Sequence, residues 1–334
     1  MRENILFVLD ENGYDLSADI LLYLRRMDVR CVNGKTNKQK FSDGELCVDF
    51  CDSVRGKRVF LLSSPNTSDE IIKLELAIDA AKRAAAKEII PILPFFPYAR
   101  QDKKDQSRGP IGAKVMAIKL EALGATSLIT FDLHADQIQG FFQIPVTHIE
   151  GKNIFDDFIK EIANENTVLC GPDAGSGKRV KRMKDELLKT HGLNLSYVMI
   201  DKTRKEANVI SSMEIIGNVD GKDVIILDDM VDTAGTLCAA AKELINNGAK
   251  SVRAIISHGV LSGKAYANIG NSVLSELIIS DSLPLKKPDD YFEEATNGFN
   301  KISVIGVGNQ IARAIWAIDK HGSYDNLKSR KPLN

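Results

Sequence analysis

Short apolar runs alternate with amphipathic stretches almost from end to end of the chain. The runs at 5–9, 46–50, 59–63, 88–93, 127–132, 167–170, 196–200, 213–219, 223–227, 251–257, 273–280 and 302–307 read as strands. Between several of them, residues 68–86, 110–123, 152–164, 177–190, 233–248 and 261–270 carry helical periodicity. Many of the strands are apolar throughout, as in a sheet covered on both faces. The expected fold is therefore α/β, with mainly parallel sheets flanked by helices.

The pattern divides near 148–152. Residues 127–134 and 223–230 both read as a strand followed by an acid, which points to two domains of related plan. The expected domains are 1–149, rejoined by the C-terminal segment 308–325, and 150–307. In open parallel sheets, ligands sit beyond the C-terminal ends of the strands. The polar segments at those places are the candidates for chemistry.

Composition narrows the class. The chain has 334 residues, 44% of them hydrophobic and 27% charged, with a net charge of −1. That balance argues against a nucleic-acid footprint spread over the surface. The N-terminus meets acid too early for a signal peptide, and no apolar run approaches the ~20 residues of a membrane span. The five cysteines, 31, 47, 51, 170 and 238, form no C-x-x-C pair. A reduced, cytoplasmic protein is expected, with no nucleic-acid or membrane partner. Cys47 and Cys51 are expected to be small buried hydrophobes rather than zinc ligands.

Residues 224–236, Val-Ile-Ile-Leu-Asp-Asp-Met-Val-Asp-Thr-Ala-Gly-Thr, are the most informative stretch. A buried strand ends in Asp228 and Asp229. A small, hydroxyl-bearing loop (Asp232, Thr233, Ala234, Gly235, Thr236) then opens a helix, which is how a protein holds a phosphate. The acid pair suits ribose hydroxyls, a metal, or both. A phosphosugar is the expected ligand.

Other strand ends add to this. Phe95-Phe96-Pro97-Tyr98-Ala99-Arg100-Gln101-Asp102-Lys103-Lys104-Asp105 can stack a base and pair cations with phosphates. His134 directly follows a strand and suits a metal or a phosphate oxygen. Gly171-Pro172-Asp173-Ala174-Gly175 is glycine-rich without being a Walker A loop, and it can present Asp173 to a magnesium-bound phosphate. Lys202, Arg204 and Lys205 repel one another unless an anion is near, and they are expected in a turn after the strand at 196–200. Phe41-Ser42-Asp43-Gly44-Glu45, alone, reads as a plain turn. Gly306-Val307-Gly308 imitates a dinucleotide loop but lacks the third glycine. His258 and His321 read as structural or surface histidines.

Together the motifs at 96–105, 132–135, 137–142, 171–175, 202–208 and 228–236 resemble the ribose-phosphate pyrophosphokinase (PRPP synthetase) family, over about residues 40 to 285. The resemblance implies two domains of phosphoribosyltransferase-like plan. It implies transfer of the β,γ-diphosphoryl group of ATP to the 1-hydroxyl of ribose 5-phosphate, giving AMP and phosphoribosyl diphosphate (PRPP) for nucleotide biosynthesis, with Mg²⁺ as cofactor. By the same resemblance, Phe41, Asp43, Glu45, Arg100, Gln101 and Asp105 bind ATP, the first three from a neighbouring subunit. His134 and Asp173 approach the metal–triphosphate, and Lys202 and Arg204 are catalytic. Asp228 and Asp229 hold the ribose, and Asp232 to Thr236 its 5-phosphate. A homo-oligomer, a hexamer built of dimers, is implied.

Two ends depart from the family pattern: Leu9-Asp10-Glu11-Asn12-Gly13 and 302–320. They touch the family's allosteric phosphate/ADP site, of which Ser53, Arg55, Ser107 and Arg108 match other parts. The competing readings are a phosphoribosyltransferase that consumes PRPP and a non-catalytic PRPP-synthetase-associated subunit. The first needs only one such domain. The second carries insertions near the catalytic loop, and the 200–230 stretch shows none.

Overall fold

The computed structural model describes residues 3–10, 16–206, 209–287, 293–322 and 324, with the backbone alone at 174, 202–206, 209–212 and 293. The chain forms two compact units, residues 1–150 with 306–334, and residues 151–305.

The first unit holds β1 (Asn4–Val8), α1 (Leu16–Arg26), β2 (Cys31–Asn33), β3 (Thr36–Lys40), β4 (Leu46–Phe50), β5 (Arg58–Leu62), α2 (Ser68–Arg83), β6 (Glu88–Leu93), α3 (Gly112–Leu123), β7 (Leu128–Phe131) and β8 (Val146–Ile149). Its sheet is parallel, in the order β2-β1-β5-β6-β7-β8, and β3 and β4 form a separate antiparallel hairpin. β5 and β7 are buried at every position, as the apolar runs require of a sheet covered on both faces. Thr67 and Glu70 cap α2 reciprocally, which fixes where that helix starts.

The second unit holds α4 (Lys152–Ile162), β9 (Thr167–Gly171), α5 (Gly177–His191), β10 (Ser196–Glu206), β11 (Val209–Ile216), β12 (Asp223–Val231), α6 (Gly235–Asn246), β13 (Ser251–Gly259), α7 (Ala265–Gly270), β14 (Glu276–Ser280), α8 (Glu293–Asn300) and β15 (Ile302–Ile305). The strand order is β11-β10-β9-β12-β13-β14-β15, parallel except for the antiparallel pair β10–β11. Both units are therefore mainly parallel sheets with flanking helices, and each has its own apolar core.

The chain then returns to the first unit as α9 (Gly308–Asp319). Gly308 lies so close to α1 that an added Cβ would fall 2.8 Å from that of Asp19. The Gly306-Val307-Gly308 stretch is thus a packing contact, as its missing third glycine implies. Asp319 closes α9 onto the sheet: its carboxylate accepts from Asn4 Nδ2 at 2.9 Å and lies 3.4 Å from the buried Arg58, which grips Glu88 with two bonds.

Three expectations need correction. Residues 202–205 are not a turn: β10 continues through them to Glu206 and pairs with a β11 that begins at Val209 rather than 213. A charged antiparallel ribbon is held by backbone pairing, so hydropathy gives no sign of it. Cys47 is half-buried and Cys51 exposed, because their hairpin lies outside the main sheet. α1, β2, β3 and α8 were not marked by the apolar pattern. In α1 only Leu16, Ile20 and Leu24 are buried, a stripe too narrow to stand out. Glu11, Asn12, Gly13, Ala207 and Asn208 lie outside the described residues.

Candidate active site

In the second unit the polar residues gather where parallel strands end. β12 brings Asp228 and Asp229 to its C-terminal end, with Asp229 almost fully buried. The neighbouring β9 runs into Asp173, whose carboxylate accepts from the Ser176 backbone amide at 2.9 Å and so shapes the turn into α5. Burial first, and then the charges of Asp229 and Asp173, push the Asp228 carboxyl up to about 7, opposed by Arg179 on α5. Asp173, Asp228 and Asp229 thus bring carboxylates together beside Arg179. Hard oxygen donors of this kind suit Mg²⁺. They suit equally the hydroxyls of a sugar.

Beyond β12 the chain turns through Asp232 and Thr233 into α6. Ala234 holds the left-handed conformation at φ 61°, directly before the first helical residue. The turn is braced from outside. The Ser262 backbone amide donates to the Asp232 carbonyl at 3.1 Å, the Ser262 hydroxyl donates to the Asp232 carboxylate, and Asn268 Nδ2 donates to the Thr233 carbonyl at 2.8 Å.

In the first unit, Phe41, Asp43 and Glu45 form the exposed tip of the β3–β4 hairpin. The Phe41 amide donates to the Glu45 carbonyl at 2.8 Å and Gly44 takes φ 94°, which closes the turn. Arg100, Gln101 and Asp105 are exposed on the segment after β6. That segment is pinned at Gln101, whose carbonyl accepts from the Ala113 amide at 3.2 Å, and at Asp102, which accepts from Gln137 at 3.1 Å. His134 is exposed just past β7. Ser53 and Arg55 precede β5, whereas Ser107 and Arg108 follow β6, so these four lie toward opposite ends of parallel strands.

Lys202 and Arg204 lie on β10, level with Met213 and Ile210 of β11, and the pairing slips register at Arg204. A bulge of this kind raises local twist and disturbs the ladder.

Several contributors escaped sequence reasoning. His148 on β8 accepts the Leu133 amide at 3.0 Å and so holds the segment that carries His134. Nothing in an edge strand reading Val-Thr-His-Ile announces that role. Asp10 ends the first strand with its carboxylate accepting from the Ser63 hydroxyl at 3.0 Å and the Ser64 amide at 2.8 Å. Burial drives its carboxyl up to about 6. The charged form is therefore disfavoured in the fold, and Asp10 costs stability as pH rises from the unfolded value toward and through 6. Asp10→Asn should add more stability at pH 8 than at pH 4, by roughly 2 kcal/mol, and raise the unfolding midpoint accordingly. Calorimetry at the two pH values checks this, and an equal shift at both would remove the titration as the cause.

Backbone strain marks the same places. Tyr98 (φ 57°) follows β6, Asp132 (φ 40°) follows β7, Ala234 follows β12 and Leu261 (φ 51°) follows β13. The other non-glycine residues with positive φ among the described ones, Asp28, Ala85 and His321, sit just past helix ends, where such a residue closes a helix. Strain after four parallel strands is what preorganised ligand loops carry.

Among the described residues, the group of three or more His and carboxylate side chains close enough to share an ion is Asp156, Asp157 and His191. His191 lies 3.3 Å from Asp156 at the C-terminus of α5.

Comparison with known proteins decides among the readings. Residues 7–124 match the N-terminal domain of ribose phosphate pyrophosphokinase, and 141–281 a phosphoribosyl transferase domain. The chain belongs to the ribose-phosphate pyrophosphokinase family. It is 42% identical to the ribose-phosphate pyrophosphokinase of Porphyromonas gingivalis over 89% of this chain and 90% of that one. It is 43% identical to that of Oceanobacillus iheyensis over 84% and 85%. The solved phosphoribosylpyrophosphate synthetase of Mycobacterium smegmatis superposes with a TM-score of 0.83 at 33% identity, covering 96% of this chain and all of its own. The α/β fold of mainly parallel sheets in two domains, expected from the alternating pattern, stands. No helix among the described residues is long and apolar enough to cross a membrane.

Proposed function

We propose that this chain makes PRPP and AMP from ATP and ribose 5-phosphate, with the division of labour implied by its motifs. The observation that carries the acceptor half is the end of β12: an acid pair followed by a braced, strained turn at a helix N-terminus. In this reading Asp228 and Asp229 accept hydrogen bonds from the ribose hydroxyls. The amides and hydroxyls of Asp232 to Thr236 hold the 5-phosphate, which the helix dipole favours. The second unit is then the ribose-5-phosphate domain and the first the ATP domain. Arg100, Gln101 and Asp105 bind the nucleotide there, and Phe41, Asp43 and Glu45 reach the ATP site of a neighbouring copy. The exposure of that hairpin tip supports the last assignment.

Bound Mg²⁺ would neutralise triphosphate charge and draw electron density from the phosphorus, with Asp173 and His134 approaching it. The ribose 1-hydroxyl attacks the β-phosphorus in line and gives up its proton to solvent, the bond between that phosphorus and the α,β-bridging oxygen breaks, and AMP leaves with that oxygen. Lys202 and Arg204 stabilise the charge spread over the transferring group. Catalysis is positioning plus charge neutralisation, with no covalent enzyme intermediate. We assign the working assembly as a homo-oligomer built of dimers, a hexamer, acting in the cytoplasm.

Purified protein incubated with ATP, Mg²⁺ and ribose 5-phosphate should release AMP and PRPP in equal amounts. No AMP with or without added inorganic phosphate would leave the non-catalytic subunit as the better reading. The presence of Lys202 and Arg204 speaks against that outcome.

A further inference from the structure

The turn at Asp232–Gly235 is held by residues outside the motifs that define the site. Ala234 sits at φ 61°, a left-handed conformation that a residue with a Cβ keeps only where its neighbours fix it. The two residues just before it are fixed. The Asp232 carbonyl accepts from the Ser262 amide at 3.1 Å, and its carboxylate accepts from the Ser262 hydroxyl. The Thr233 carbonyl accepts from the Asn268 side-chain amide at 2.8 Å. With its carbonyl occupied in this way, the peptide plane joining Thr233 to Ala234 is fixed, and with it the direction of the following amide.

Both supports are themselves held in place. Leu261, directly before Ser262, takes φ 51°, and its amide donates to the Val231 carbonyl at 3.2 Å, so the segment after β13 is laid against the end of β12. Asn268 lies on α7, which is locked to α8 by a crossing of two glycines. A Cβ on Gly270 would fall 1.9 Å from the Glu294 carbonyl oxygen, and one on Gly298 would fall 1.8 Å from that of Tyr266. The backbones touch, so α7 cannot shift toward α8.

We propose that Ser262 and Asn268 are positioning residues for the 5-phosphate of ribose 5-phosphate: they fix the strained turn in the shape that presents its amides to the anion. The inference rests on the acceptor reading of 228–236. Neither side chain need touch the substrate. Asn268 acts through the Thr233 carbonyl, so replacing its amide by a carboxylate sets two acceptors against each other, which is worse than removing the donor.

The test is steady-state kinetics, with calorimetric binding of ribose 5-phosphate, on Asn268→Leu, Asn268→Asp, Ser262→Ala and Ser262→Thr in the full chain. KM and Kd for ribose 5-phosphate should rise about tenfold, or roughly 1.4 kcal/mol, in Asn268→Leu and Ser262→Ala. They should rise further in Asn268→Asp and return toward the parent value in Ser262→Thr. The KM for ATP should stay within about twofold. A merely structural role would lower the unfolding midpoint without that ordering or that selectivity. Unchanged ribose 5-phosphate affinity in Asn268→Asp and Ser262→Ala would overturn the proposal. If the parent chain is inactive but binds ribose 5-phosphate, the binding series still decides it. If the parent neither turns over nor binds the sugar phosphate, the acceptor reading fails and this inference with it.

Discussion

Lys202→Ala should lower kcat by a factor of about 10³–10⁵, the range by which a cation placed on a transferring phosphoryl group accelerates reaction. KM for ribose 5-phosphate should change by less than about threefold, because the proposed acceptor site is at the end of β12 and Lys202 lies on β10, a different strand. The backbone around Lys202 supports such a split. β10 and β11 form the antiparallel edge of an otherwise parallel sheet, and their pairing slips at Arg204. An edge ribbon with a bulge can bring cations to a phosphate without being part of the pocket that holds the sugar. Single-turnover formation of AMP at saturating substrates measures the effect directly. Normal turnover in the variant would remove Lys202 from the chemistry, while a large loss confined to KM would move it to ground-state binding.

Asp228→Asn should carry the second large effect. An ionised carboxylate that accepts from a hydroxyl contributes about 1.5–3 kcal/mol, so KM for ribose 5-phosphate should rise by about 10- to 100-fold. The pH dependence distinguishes this residue from its neighbours. Its carboxyl is pushed up to about 7 by burial and by the charges of Asp229 and Asp173. Below that value the folded protein holds it protonated, unable to serve as a full acceptor, and above it the group is ionised. Affinity for ribose 5-phosphate should therefore improve as pH rises through 7, and Asp228→Asn should flatten that dependence. Stability without ligand runs the other way. A carboxyl raised in the fold contributes least once ionised, so the free protein loses stability from about pH 4 upward through 7. A cation that binds the ionised group should restore it. Unfolding midpoints across pH 5–8, with and without Mg²⁺, would show this as a divergence absent from Asp228→Asn.

The elements visible in the sequence were those whose burial is uniform. β5, β6, β7 and the first part of β12 are apolar almost throughout, and hydropathy marks them. The β10–β11 ribbon leaves no such mark, because its strands carry Lys202, Arg204 and Lys205, and a ribbon at a sheet edge is specified by backbone pairing. The site was legible where chemistry concentrates in a short stretch, as at Asp228–Thr236. It was not legible where a residue acts through another's backbone. The side chains of Ser262, Asn268 and His148 act through hydrogen bonds that span 15 to 35 positions of sequence. No local pattern of residue types announces a hydrogen bond of that span.

The four strained residues that follow β6, β7, β12 and β13 set a limit on improving this protein. At about 1–3 kcal/mol each, Tyr98, Asp132, Ala234 and Leu261 together withhold an amount comparable with the whole net stability of an ordinary domain. Selection for heat resistance alone would find its easiest gains there, since glycine relieves a positive φ at once. Those gains would slacken the loops to which the proposed function assigns the substrates. Robustness and turnover are thus set against each other at four addresses in the chain, and a thermostable variant that keeps its rate has to draw its stability from the sheets and helices instead.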